Sequence, residues 1–89
     1  MAQEQRGPGY HIRPIAKGEL GEISKIEEEV AELRDAEEQE CIIMALVELS
    51  DLVGAIRLYL GKHHPSVTLE DLVTMSNITT RAFENGHRQ

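Results

Sequence analysis

Aromatic side chains are almost absent from this sequence of 89 residues, which contains no Trp, two Tyr and one Phe. Any hydrophobic core must therefore be aliphatic, although 40% of the residues are hydrophobic. An aliphatic core favours packed helices over a sheet. A chain of this length forms one small domain with little core of its own, so we expect it to associate with further copies.

Cysteine and basic residues are also scarce. The single cysteine, Cys41, excludes an internal disulfide and is typical of a protein in the reducing cytoplasm. The nine Lys and Arg residues are scattered, and the sixteen Asp and Glu residues give a net charge of −7. Binding to nucleic acid needs clustered basic residues, so we expect a cytoplasmic protein that does not bind nucleic acid.

The sequence has no long apolar run free of charges. The first fourteen residues lack the apolar stretch of a signal peptide. The most apolar segment, residues 42–60, contains Glu48, Asp51 and Arg57, which make insertion into a bilayer costly. We therefore predict no membrane span and interpret this segment as a buried helix.

Apolar residues at three- and four-residue steps predict an all-α fold. The predicted helices cover about residues 20–37, 40–60 and 69–84. Gly61 marks the end of the second helix, and Thr68 is a suitable N-cap for the third. The predicted organisation is an N-terminal arm (1–16), a helical domain (17–86) and a C-terminal tail (87–89).

Two acidic clusters lie on the first two predicted helices. The first contains Glu28, Glu29 and Glu32, and the second, after a gap of fifteen residues, contains Glu48 and Asp51. Residues three apart share a helix face, so each cluster directs two carboxylates toward one point. Convergent carboxylates without histidine or thiol partners suit Mg²⁺, or Mn²⁺.

The two clusters can meet only if the chain turns or a second chain takes part. No Gly or Pro lies between Glu22 and Val53, so the sequence by itself allows one continuous helix. In such a helix Glu29 and Glu48 would be about 28 Å apart. We predict an antiparallel helical hairpin with its turn in residues 35–40, where the apolar stripe thins; an antiparallel second chain is the alternative.

The second cluster is expected inside an apolar wall, because apolar residues surround Glu48 and Asp51 on the helical wheel. An unpaired buried charge is costly and normally finds a partner or a metal ion. A structural ion pair with Arg or Lys is the alternative to a metal site.

Glu28-Glu29-x-x-Glu32, the fifteen-residue gap and Glu48-x-x-Asp51 together resemble the signature of the MazG-like all-α nucleoside triphosphate pyrophosphohydrolases. That superfamily includes the dimeric dUTPases and the phosphoribosyl-ATP pyrophosphohydrolases. The resemblance spans about residues 17–85. A single ExxE or ExxD is common on acidic helices, whereas the two in order at this spacing are more specific. The short segment 17–22 before the first helix looks like that of compact members encoded by bacteriophages.

The resemblance implies a homodimer or homotetramer in which helices of different subunits form a four-helix-type bundle. It also implies Mg²⁺-dependent cleavage of (d)NTP between the α- and β-phosphates, which releases (d)NMP and pyrophosphate. The implied metal ligands are Glu29, Glu32, Glu48 and Asp51, and Glu28 would orient a metal-bound water or accept its proton. The implied phosphate-binding residues are Lys25, Lys62, Asn77 and Arg81, although Val73 replaces a lysine often found one turn before that Asn.

Other interpretations of the same residues remain open. Lys25 could instead pair with neighbouring acids on its own helix. The chain could be a non-catalytic helical interaction module with structural acidic clusters, or a family member that binds nucleotides without cleaving them. The candidates for stacking on a base are Tyr10, His11, Tyr59 and Phe83, and nothing in the sequence ranks them.

Overall fold

The structure is a computed structural model that describes residues 11–84. This part of the chain contains three helices and no strand: α1 (Ile23–Glu38), α2 (Ile42–His63) and α3 (Leu69–Glu84). The all-α prediction is confirmed. Residues 1–10 of the predicted arm, and residues 85–89 with the end of the predicted domain and the tail, lie outside the described residues.

α1 and α2 form an antiparallel hairpin. The turn between them occupies residues 39–41, at the end of the range 35–40 in which it is predicted, because α1 continues to Glu38. The start of α1 meets the end of α2, where Glu22 pairs with Lys62 and, at 3.0 Å, with His63. These pairs accompany an extra turn of α2, so the prediction that Gly61 ends this helix is wrong. Within residues 11–84, α3 makes few contacts with α2 and none with α1.

The turn after α1 is a Schellman motif, in which two amides after the helix bond back to carbonyls of its last turn. Glu40 N donates to Glu37 O (2.9 Å), and Cys41 N donates to Ala36 O (3.1 Å). Glu40 occupies the left-handed position of the motif, with φ 57°, where glycine is usual. The turn of the hairpin therefore has glutamate at the position where glycine would have indicated a turn in the sequence.

α3 begins with a reciprocal cap that confirms Thr68 as its N-cap. Asp71 N donates to Oγ1 of Thr68 (3.1 Å), and Thr68 N donates to Oδ2 of Asp71 (2.9 Å). Two amides that have no partner within the helix are thereby satisfied, which fixes where α3 starts.

The prediction that the second helix is buried is wrong for the single chain. Among the side chains described in residues 11–84, which exclude that of Phe83, the buried apolar ones are only Ala36, Ala55 and Leu60. The exposed large apolar side chains include Ile42, Ile43, Leu46, Val47, Leu49, Val53 and Leu58 on α2, and Val73, Met75 and Ile78 on α3. A helical wheel shows which directions are apolar, but α1 covers only one side of α2. Along residues 11–84 no helical stretch combines the length and the hydropathy that crossing a bilayer requires.

Replacing Glu40 by Gly is expected to stabilise the hairpin by about 1 kcal/mol, because the left-handed conformation is costly for a residue with a Cβ atom. The matched control is Glu37→Gly, at an exposed position inside α1, which should destabilise by about 1 kcal/mol. Urea denaturation at one fixed protein concentration measures both changes. Equal destabilisation by the two variants would show that the turn does not depend on this conformation.

Candidate metal centre

The hairpin brings the two acidic clusters together within one chain. Carboxylate oxygens of Glu29, Glu48 and Asp51 all lie within 4.8 Å of one another. The same limit holds for oxygens of Glu28, Glu29 and Glu32. The four predicted metal ligands and Glu28 therefore occupy one continuous cluster, for which no second chain is needed.

Most of this acid cluster is buried between α1 and α2. Glu29 and Glu48 are each only 4% exposed, and Oε1 of each is buried with no hydrogen-bond partner among the described residues. Leaving a buried carboxylate oxygen without a partner is costly, and a cation removes that cost. The oxygen-only donor set of Glu29, Glu48 and Asp51 fits a hard divalent ion such as Mg²⁺.

Asp51 differs from the other members of the cluster. It is exposed, so the expectation that it lies inside an apolar wall is wrong. The apolar residues around it on the helical wheel belong to faces of α2 that this chain leaves uncovered. Asp51 thus forms the open side of the cluster.

A cleft of about 540 Å³ opens beside Glu29 and Asp51. Lys25 and Arg57 also line it, so cationic side chains stand next to the acids. Arg57 is not among the site residues predicted from the sequence, because a helical wheel centred on Glu48 places Arg57 on the opposite side of α2. The cleft lies instead along the flank of α2 that carries Asp51.

The cluster cannot ionise fully by itself. Burial raises the pKa of Glu32 to about 8, and the adjoining Glu48 and Glu29 act in the same direction. Burial also raises the pKa of Glu48, with the charges of Asp51 and Glu29 adding to the effect. Protons therefore remain on the cluster near neutral pH until a cation replaces them.

Glu28, unlike Glu32 and Glu48, has a lowered pKa and is kept ionised. The backbone N–H of Gly18 donates to its Oε1 (2.8 Å), and Nζ of Lys25 lies 3.1 Å from the same oxygen. The Gly18 hydrogen bond is the main reason that the pKa of Glu28 is lowered, although burial opposes it. A Cβ atom at Gly18 would lie 2.2 Å from the carbonyl oxygen of Ser24, so this approach requires glycine.

Of the four predicted phosphate-binding residues, Lys25 alone adjoins the acid cluster in this chain. Its Nζ lies 3.1 Å from Glu28 and 3.2 Å from Glu29, and the hydrogen bond to Glu28 is the main cause of its raised pKa. Lys62 pairs with Glu22, about 21 Å along α2 from Glu48. Asn77 and Arg81 are exposed on α3. The assignment of phosphate contacts to these residues stays a prediction.

The candidates for base stacking are spread over the chain. Tyr59 packs against His63 and His64, with ring centroids 4.7 and 5.9 Å apart. Tyr10 and the side chain of Phe83 lie outside the described part of the structure. His11 lies beside the acids, with Nε2 3.5 Å from Oε2 of Glu32.

The position of His11 depends on Asp35, another residue that the sequence argument did not assign to the site. Asp35 is 1% exposed, and its Oδ2 accepts a hydrogen bond from the backbone N–H of Ile12 (2.9 Å). No spacing pattern signals this contact, because it joins residues more than twenty positions apart. Hydrogen bonds from Gln39 and Ile12 keep the pKa of Asp35 low, although burial, the largest single effect, acts to raise it.

No protein-family model, curated protein or solved structure matches this chain.

The raised carboxyl pKa values predict how stability depends on pH. A carboxyl whose pKa is higher in the folded than in the unfolded protein stabilises most below its unfolded value of 4.5, and this contribution is lost as pH rises through its folded value. In EDTA, the melting temperature should therefore fall as pH rises from about 4.5 to about 8, the window set by Glu32, and the raised pKa of Glu48 acts in the same direction.

Millimolar Mg²⁺ should raise the melting temperature more at pH 8.5 than at pH 5.5, because the ion replaces protons on the cluster. Thermal denaturation followed by circular dichroism measures both effects. Glu32→Gln should flatten the metal-free profile, whereas Glu37→Gln, an exposed acid on the same helix, should leave it unchanged. A melting temperature that rises over this window in EDTA would contradict the argument.

Proposed function

We propose that this chain is a Mg²⁺-dependent nucleotide pyrophosphohydrolase that cleaves (d)NTP between the α- and β-phosphates, giving (d)NMP and pyrophosphate. The supporting observation is the convergence of Glu29, Glu48 and Asp51, with two buried oxygens that have no partner among residues 11–84, beside an open cleft. The resemblance in motif spacing supports the same activity. The proposed compartment is the cytoplasm, which suits the free thiol of Cys41.

The acids have separate roles in this proposal. Glu29, Glu48 and Asp51 hold the divalent ion, and Glu32 completes the ligand set. When bound, Mg²⁺ or Mn²⁺ supplies neutralisation of triphosphate charge and a more acidic water. Glu28 orients that water or accepts its proton; the Gly18 N–H and Lys25 hold its carboxylate in place and ionised.

The cleft supplies the place for the triphosphate. Lys25 lines the cleft and pairs with Glu28 and Glu29, so its ammonium group can exchange a carboxylate partner for a phosphate oxygen. Arg57 lines the same cleft and joins Lys25 as a proposed phosphate contact. Two cations beside the acids would hold part of a polyanion's charge, and a metal ion held by the acids would neutralise the rest.

Assembly into a homodimer or homotetramer forms part of the proposal. In the described chain, the large apolar side chains that are exposed on α2 and α3 outnumber the apolar side chains that are buried. Extended apolar surface of this kind marks an interaction site. We infer that α2 and α3 of different subunits cover one another in a four-helix-type bundle, with the acid clusters facing a cleft of the assembly.

A non-catalytic helical interaction module is the second candidate function. The exposed apolar faces favour it directly, because they need a partner whether or not the acids act on a substrate. In that case the acids would be structural, and removing Glu48 or Asp51 would weaken assembly while leaving metal affinity unchanged.

The hydrolase proposal is tested with a panel of dNTPs and NTPs in the presence of Mg²⁺, with monophosphate and pyrophosphate as the products measured. Glu48→Gln should lower turnover by about 100-fold or more, because loss of an outer-shell partner of a metal ligand already costs about 10–100-fold. Glu37→Gln is the matched control and should retain full activity. Absence of both products with every nucleotide would refute the activity.

The assembly proposal is tested by placing a charge on the exposed apolar face of α2. Leu46→Glu should shift the sedimentation coefficient to that of a smaller species, because burying the new carboxylate in the interface is costly. Ser66→Glu, which adds the same charge to an exposed loop position, should sediment as the wild type does. A wild-type protein that remains monomeric at high micromolar concentration would contradict the assembly.

A further inference from the structure

The segment before α1, residues 11–18, crosses the outer side of the acid cluster; we call it the strap. It is fastened at both ends: Ile12 N donates to Asp35 (2.9 Å), and Gly18 N donates to Glu28 (2.8 Å). Arg13 adds an ion pair with Glu38. These contacts hold the backbone at both ends of the strap and place His11 next to the acids.

His11 joins two of the acids in a group with metal-ligand spacing. One ring nitrogen of His11 and one carboxylate oxygen from each of Glu32 and Glu48 lie within 4.8 Å of one another. Nε2 of His11 is 3.5 Å from Oε2 of Glu32, longer than a good hydrogen bond. Glu48 is 4% exposed, and its Oε1 has no hydrogen-bond partner within the described chain, so this group includes a buried acceptor in need of a cation.

Asp35 stands behind the imidazole ring. Its Oδ1 lies 3.8 Å from Nδ1 of His11, on the other side of the ring from Glu32. The Asp35 carboxylate is itself fixed by Ile12 N and by Nε2 of Gln39 (2.7 Å). The distance of 3.8 Å between Asp35 and His11 is too long for a hydrogen bond, so Asp35 acts on the ring through its charge. A carboxylate on this side of a histidine is a common arrangement where the other ring nitrogen binds a metal.

We propose that His11, Glu32 and Glu48 form a second divalent-cation site that prefers Mn²⁺ or a later first-row transition metal to Mg²⁺. The preference follows from the imidazole nitrogen, since Mg²⁺ takes oxygen ligands and these ions accept nitrogen. Glu48 links this mixed nitrogen–oxygen site to the oxygen-only site of Glu29, Glu48 and Asp51, and Glu32, which completes the ligand set of that first site, lies beside both. Metal binding at this position also fastens the strap to the hairpin.

The inference goes beyond the proposed hydrolysis and rests on it only through the metal-binding roles of Glu32 and Glu48. A structural alternative is that His11 merely pairs with Glu32 across the surface. That alternative gives no bond between a histidine nitrogen and a bound ion. The deciding measurement is therefore spectroscopic and needs no nucleotide.

The test uses tag-free full-length protein loaded with Mn²⁺, in which pulsed EPR detects ¹⁴N coupling from a bound imidazole. We expect this coupling in the wild type and in His64→Gln, an exposed histidine at the end of α2 that serves as the matched control. His11→Gln should abolish the coupling and weaken one class of Mn²⁺ site by about tenfold or more. Asp51→Asn should keep the coupling while weakening the other class.

Competition with Mg²⁺ separates the two sites in the unmodified protein. Added Mg²⁺ should displace Mn²⁺ from the oxygen-only site first and leave the ¹⁴N-coupled ion in place. Absence of ¹⁴N coupling in the wild type, or its persistence in His11→Gln, would overturn the inference. Failure of the hydrolysis assay with the coupling intact would remove the proposed activity alone, so the two ideas fail separately.

Discussion

The hairpin buries four carboxylates and few other side chains, and the structure depends on how these buried charges are neutralised. Among residues 11–84 apart from Phe83, the buried side chains are those of Glu28, Glu29, Asp35 and Glu48, against the apolar Ala36, Ala55 and Leu60. Two of these acids have their partners within the chain: Glu28 accepts from Gly18 and Lys25, and Asp35 from Ile12 and Gln39. Glu29 and Glu48 each keep a buried oxygen with no hydrogen-bond partner in the described part of the chain, which is the physical reason to expect a cation between α1 and α2.

Residues outside the acid cluster decide whether its members meet. The Schellman turn at Glu40 sets the register of α2 against α1, and the pairing of Glu22 with Lys62 fixes the opposite end of the hairpin. Gly18 lets the strap approach α1 closely enough to hold Glu28. Geometry at the cluster is thus set by a turn, an end contact and a glycine.

The same packing explains why the chain leaves so much apolar surface open. α1 covers only one side of α2, and α3 makes few contacts with α2, so aliphatic residues such as Leu46 and Ile78 are exposed. Burial of apolar surface is the main source of folding free energy, and a chain this small gains little of it alone. Metal binding and self-association are therefore complementary proposals: one neutralises the inside of the hairpin, and the other covers its outside.

The sequence by itself determined the three helices, the N-cap at Thr68 and the two acid pairs that each share a helix face, because these depend on local propensity and on a period of 3.6 residues. The turn could be predicted within residues 35–40 only by adding that Glu29 and Glu48 would be too far apart in one continuous helix to share a metal ion. Tertiary structure alone decided that Glu40 adopts the left-handed conformation, that Asp51 is open while Glu48 is buried, and that His11 and Asp35 join the site. Those features arise from contacts between residues distant in the chain, which leave no periodic trace in the sequence.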